Sequence, residues 1–111
     1  MAEARLAAGI WVAAYLRRLG LAGIPAYVTR HGDDTAGAVL VKCATLDDRA
    51  SLWAREWDLE TDQRLWIRLT EADEREIDAQ IARQSARDPD LWVIEIESRD
   101  GRTLLDEPGL A

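Results

Sequence analysis

Apolar residues near the start of the chain recur at helical spacing. Leu6, Ile10, Ala13, Leu16 and Leu19 share one face, with Val12 beside them. The spacing predicts a helix from about Leu6 to Leu19, with Arg17 and Arg18 complementing the dipole in its last turn. Gly20 or Gly23 offers a left-handed stop, and Pro25 prevents continuation. Strand-like patterns follow. Ile24 to His31 and Ala38 to Ala44 are rich in β-branched or apolar residues and flank the segment HGDDTAG. Arg49 to Trp57 comes after the short TLDD connection, and in Arg64 to Leu69 the apolar Leu65, Ile67 and Leu69 alternate with Trp66 and Arg68.

Periodicity returns to helical in EADEREIDAQIARQSAR. Thr70 is the expected cap with Asp73 three residues on, acids crowd the first turn, and Arg83 and Arg87 close the last. Ile77 and Ile81 form a narrow apolar stripe, and Asp88-Pro89 ends the helix. Leu91 to Glu97 reads as the strongest strand, with Trp92, Ile94 and Ile96 on one side and Val93, Glu95 and Glu97 on the other. The Asp100-Gly101 pair predicts a type I′ hairpin turn into a short strand at Thr103–Leu105. Short connections favour antiparallel pairing. The expected fold is therefore α+β: a mainly antiparallel sheet of about five strands with both helices packed on one face. A chain of 111 residues makes one domain, 1–111, with 1–5 and 106–111 expected to be loose ends.

Composition narrows the chemistry. The net charge is −7, with 21 acidic residues against 14 basic ones, so no broad basic surface exists to favour nucleic acid. Five tryptophans and no phenylalanine put most of the aromatic volume into large amphipathic rings. Cys43 is alone, which excludes an internal disulfide, a CxxC pair and a cysteine-rich zinc site. The apolar run at Leu6–Leu16 resembles a signal-peptide core, but Glu3 offsets Arg5 and Arg17-Arg18 stands where a cleavage site should lie. The run is too short to span a bilayer. The expectation is a cytoplasmic protein with no membrane partner.

Two groups of residues attract a functional reading. In RHGDDTAGAVLVK, Arg30, His31, Asp33 and Asp34 place the only histidine beside paired carboxylates, as a general base or anion site would require. The competing reading is a hairpin loop, with Gly32, Asp33, Asp34 and Gly37 chosen for positive φ and Asx turns. A metal-dependent nuclease core, suggested by Asp34 and Lys42, needs an acid two residues before the lysine; Leu40 stands there. The second group is Trp53, Arg55, Trp57, Trp66 and Arg68. If their strands pair, alternation collects these side chains on one sheet face, fit for a partner or a planar or anionic ligand. Arginine stacked on tryptophan within the chain would produce the same pattern. Trp11 and Tyr15, one turn apart beside Arg18, could line a pocket or a dimer seam. The acid pairs Asp47-Asp48, Asp88/Asp90 and Glu95/Glu97 read more economically as solvated edges than as cation sites.

Three stretches, LAAGIWVAAYLRR, RHGDDTAGAVLVK and IARQSARDPDLWVIEIESRDGR, make the chain resemble the bacterial DUF1491 family, a domain of unknown function. The resemblance implies a single-domain bacterial protein of about this length whose N-terminus belongs to the fold. It implies no reaction. The residues and the resemblance together lead us to expect a non-catalytic interaction module that uses the Trp/Arg face or the apolar N-terminal helix. Its partner would be another protein or a second copy of itself, with no cofactor and no metal. The alternative is a small enzyme or anion-binding protein centred on Arg30, His31, Asp33 and Asp34.

Overall fold

The structure is a computed structural model that describes residues 6–110. Its elements run α1 (Ala8–Leu21), β1 (Ala26–Arg30), β2 (Val39–Ala44), β3 (Arg49–Asp58), β4 (Gln63–Asp73), α2 (Glu74–Arg87) and β5 (Trp92–Glu97). The five strands form one sheet in the order β1-β5-β2-β3-β4, antiparallel except for the β2–β5 pair. The α+β class and the strand number agree with the sequence pattern.

The placement of the helices does not. Alternation along β2 and β5 sends Val39, Val41, Cys43, Trp92, Ile94 and Ile96 to one face, where α1 covers them with Trp11, Val12, Tyr15 and Leu19. Leu40 and Val93 point the other way, into a second cluster with Leu52 and Ile77 of α2. The helices therefore lie on opposite faces, because a strand with apolar side chains on both faces needs cover on both sides. α1 also presents a different stripe from the one its spacing suggested. Ala8, Trp11, Val12, Tyr15 and Leu19 are buried, whereas Leu6 is 56% and Ile10 59% exposed. The helix is apolar nearly all round, so two stripes fit the 3.6-residue period and the one with larger rings takes the core.

Two predicted hairpins are absent. β5 lies between β1 and β2, so His31–Ala38 crosses the end of β5 rather than turning back into a paired strand. Thr103–Leu105 forms no strand; Leu104 and Leu105 fold under α1 into the core. Gly101 has φ of +71° but Asp100 is not in the positive-φ region, so this turn lacks the mirror-image geometry of type I′. The C-terminus is not loose either: Leu110 is 1% exposed, and its carbonyl accepts hydrogen bonds from Nε1 of Trp66 (2.7 Å) and Trp11 (3.2 Å). Residues 1–5 and 111 lie outside the described residues. α2 starts later than expected, at Glu74, because β4 continues through Thr70–Asp73 in register with Arg49–Leu52. Cross-strand pairing outcompetes a weak capping box, and Asp73, at the N-cap, makes no side-chain cap bond.

The glycines of the crossing loop answer to proximity, not to positive φ. A Cβ at Gly32 or Gly37 would run into the Asp90 carbonyl oxygen. The loop passes so near because it holds two elements at once. The Asp34 and Thr35 carbonyls accept from the Gly9 and Ala8 N–H groups at 2.9 and 3.1 Å, capping α1. The Asp33 carbonyl accepts from Trp92 Nε1 at 2.8 Å, fixing the start of β5.

α2 is fastened by one cation. Lys42 is 5% exposed, and its Nζ lies 2.7 Å from carboxylate oxygens of Glu74, Asp78 and Glu95. Burial draws the ammonium's pKa down, but hydrogen bonds to Asp78, Glu74 and Glu95 outweigh it and hold the value above that of an ordinary lysine. Three donors meet three acceptors, which makes burial of the charge tolerable.

Two outcomes follow from this packing. Gly32→Ala should lower the unfolding free energy by about 2–3 kcal/mol in denaturant titration, as overpacking against rigid backbone does. For Lys42 the folded pKa is raised, so its contribution is present below the unfolded value of about 10.4 and lost as pH climbs above it. Lys42→Met should cost about 3 kcal/mol at pH 7, the lower end for removing one partner of a buried ion pair because the acids stay partly hydrated. It should also flatten the fall of stability above about pH 10.

Candidate functional site

The β3–β4 hairpin pairs as alternation anticipated. Trp53 faces Arg68, Arg55 faces Trp66 and Trp57 faces Arg64, which brings Trp53, Arg55, Trp57, Trp66 and Arg68 onto the α1 side of the sheet. A bulge makes the register possible: pairing passes from Leu52↔Thr70 to Trp53↔Arg68, leaving Leu69 as the extra residue.

The chain covers the inner part of this face itself. Trp66 lies 5.2 Å from Trp11, which stacks on Tyr15 at 4.9 Å. The Arg55 guanidinium sits 4.8 Å from the Trp11 ring centre and 5.1 Å from that of Trp66, a cation held between two π-faces. Trp53 Nε1 donates to Ser51 Oγ at 2.8 Å. Trp53 and Trp66 are thus half-buried, with their N–H groups engaged. Beside them a hollow of about 330 Å³ opens between the two indoles and Gly101, Arg102, Thr103, Leu105 and Asp106. On either side of this covered pair the face is more open: toward the hairpin tip Trp57 is 49% exposed, and toward the base Arg68, opposite Trp53, binds Glu71 at 2.7 Å. Leu59 at the hairpin tip is 87% exposed and Leu65, on the other face, 39%.

Arg30, His31, Asp33 and Asp34 are brought together only in part. His31 Nε2 lies 3.2 Å from Asp34 Oδ1, with both side chains about 70% exposed (68% and 75%), and its ring rests 4.0 Å from Trp92. The Asp33 carboxylate is spent on the turn, accepting from the N–H groups of Ala36 (2.8 Å) and Thr35 (3.1 Å). Arg30 donates to the Pro89 carbonyl at 3.3 Å. These are the bonds of a loop holding its own backbone.

The most concentrated set of titratable groups is one that sequence reasoning missed: Lys42 with Glu74, Asp78 and Glu95. The signal was present. A lone lysine in VLVKCA, an otherwise apolar strand, must be buried and therefore must be paired. The ammonium is held protonated, so it supplies charge and not a nucleophile. Cys43 is equally quiet: burial, with the Asp100 charge adding and a Ser51 hydrogen bond opposing, pushes its thiol up to about 11. Tyr15 is buried and donates to the Thr103 carbonyl at 2.9 Å, and its hydroxyl is raised well above the usual phenol range, chiefly by desolvation. Among the described residues, no group of three or more His, Cys, Asp or Glu side chains is arranged to hold a metal ion, and no helix is long and apolar enough to cross a membrane.

This fold is shared with known proteins. A DUF1491 family protein from Caulobacter crescentus CB15, in its crystal structure, is 44% identical over 93% of this chain and 95% of its own, with a TM-score of 0.79. The NMR structure of a DUF1491 family protein from the same organism gives 42% identity over 96% and 97%, with a TM-score of 0.80. The solution structure of protein Atu0922 from A. tumefaciens is 31% identical over 92% and 93%, with a TM-score of 0.76. No curated protein matches. The sequence profile described as "Protein of unknown function (DUF1491)" matches residues 6–106, and the chain belongs to that family.

Proposed function

We propose that the protein is a non-catalytic interaction module of the cytoplasm whose contact surface is the exposed side of the β3–β4 hairpin, with Trp57 toward its tip and Arg68 toward its base. The observation that carries this reading is the distribution of exposed apolar surface. Trp57, Leu59 and Leu65 are 49%, 87% and 39% exposed on one hairpin, while the arginines of the same hairpin supply polar contacts around them. Tryptophan and arginine are the residues that most often anchor protein interfaces. Behind them, Arg55 stacked between Trp11 and Trp66 keeps the platform rigid, which lowers the entropy cost of docking. The outer stripe of α1, with Ile10 and Leu21 and with Leu6 just before the helix, is a less focused surface and carries no aromatic ring. The quiet chemistry of Lys42 and Cys43 supports a binding role over a catalytic one, and a single buried thiol suits a reducing compartment.

The test is quantitative affinity enrichment from a lysate of a bacterium that encodes the protein, with the native chain and a Trp57→Ser/Arg68→Glu variant as baits. Proteins bound by the native chain should fall tenfold or more with the variant, the loss expected for removing two anchors worth about 1–2 kcal/mol each, while the melting temperature changes little. Equal recovery with both baits would overturn the surface assignment.

A further inference from the structure

β4 ends the sheet, so among the described residues its outer row of peptide groups has no strand beside it. It has 11 residues against the 5 of β1 at the opposite edge, and none of the 11 is fully buried although Leu65, Trp66, Ile67 and Leu69 are apolar. Long open edges of this kind recruit another strand unless charge protects them. Here the charges do not protect. Arg64 and Arg68 balance Glu71 and Asp73, so the edge is neutral within a chain of net charge −7.

We infer that this edge pairs antiparallel with β4 of a second copy of the chain, about a two-fold axis through Ile67. The inference rests on the interaction reading above and names the partner. The register argues for it. Counting outward from Ile67, Trp66 meets Arg68 of the other copy on the α1 face, a tryptophan–arginine pair repeated by symmetry. On the other face Leu65 meets the Leu69–Thr70 bulge. The bulge returns Glu71 to the face of Arg68, shown by the pairing of Ser51 with Glu71 and of Trp53 with Arg68. The next pair on that face is therefore Arg64 with Glu71 of the other copy. Centring the axis on Trp66 or on Arg68 would instead set Arg64 against Arg68, or Arg68 against itself. An axis through Leu65 would also place Trp66 on Arg64, but it pairs only Gln63–Ile67 and joins no opposite charges within the strand. Of these four registers only the Ile67 one both joins opposite charges and places tryptophan on arginine. It also covers Leu65, because Leu69 packs in the cluster beneath α2 with Ile77 and Ile81, so Leu65 of one copy comes under α2 of the other.

Sedimentation equilibrium of the full chain from about 1 µM to 1 mM reads the result, a small edge interface implying a dissociation constant of about 10–100 µM. The average mass should rise from one chain to two across this range. Leu65→Lys, which sets a charge at the seam without entering the monomer core, should raise the dissociation constant at least tenfold and leave the melting temperature unchanged. Ile67→Cys should form an intermolecular disulfide under diamide faster than Arg64→Cys, because residues facing across the axis stand about 4.5–5.5 Å apart between Cα atoms; Cys43, 0% exposed, does not compete. A single-chain mass at every concentration overturns the inference, as does a dimer indifferent to Leu65→Lys or without faster crosslinking at position 67. Lysate capture that depends on Trp57 and Arg68 can succeed while the mass stays that of one chain, so the two readings fail separately.

Discussion

The six residues of β2 are all buried, and the remainder of the fold supplies what that burial requires. A strand with apolar side chains on both faces must be covered twice. α1 with the returning C-terminus covers one face and α2 covers the other. β5 supplies one flank in parallel and β3 the second in antiparallel pairing. The one charge on β2, at Lys42, then lies beneath α2, and three carboxylates from α2 and β5 neutralise it. Removing any of these covers exposes the same strand.

This arrangement explains where free surface remains. Both helices lie over the middle of the sheet, and neither covers the distal part of the β3–β4 hairpin. The covered part of the Trp/Arg face has become structural: the Leu110 carbonyl and the Arg55 guanidinium take up the indoles of Trp11 and Trp66. Trp57, two positions beyond Arg55 toward the tip, remains exposed. Burial by the chain's own ends, and not residue type, divides covered from exposed side chains along one face.

How much of this was legible in the sequence depends on the range of the interaction. Local patterns were read correctly: the alternation that puts Trp53, Arg55, Trp66 and Arg68 on one face, the stop at Asp88-Pro89, and the strand at Leu91–Glu97. Long-range pairing was not. Nothing near HGDDTAG reveals that β5, some sixty residues on, inserts between β1 and β2; without that knowledge a glycine-rich loop between two strands reads as a hairpin. Gly32 and Gly37 are required by Asp90, a residue remote in sequence, and so were credited to positive φ. The stripe on α1 failed for a different reason: a helix apolar all round contains two, and only tertiary contact chooses between them. Lys42 was the avoidable miss, because a charge in an otherwise apolar strand already implies buried partners.

The central claim is that the working surface is the hairpin and that the histidine loop is a joint. Amide chemical shifts of the isotope-labelled chain, recorded alone at low concentration and then in lysate of a bacterium that encodes it, test this most directly. The expected result is change concentrated between Trp57 and Glu71, with the amides from Arg30 to Gly37 unmoved. Shifts centred on His31, Asp33 and Asp34 with the hairpin silent would contradict it.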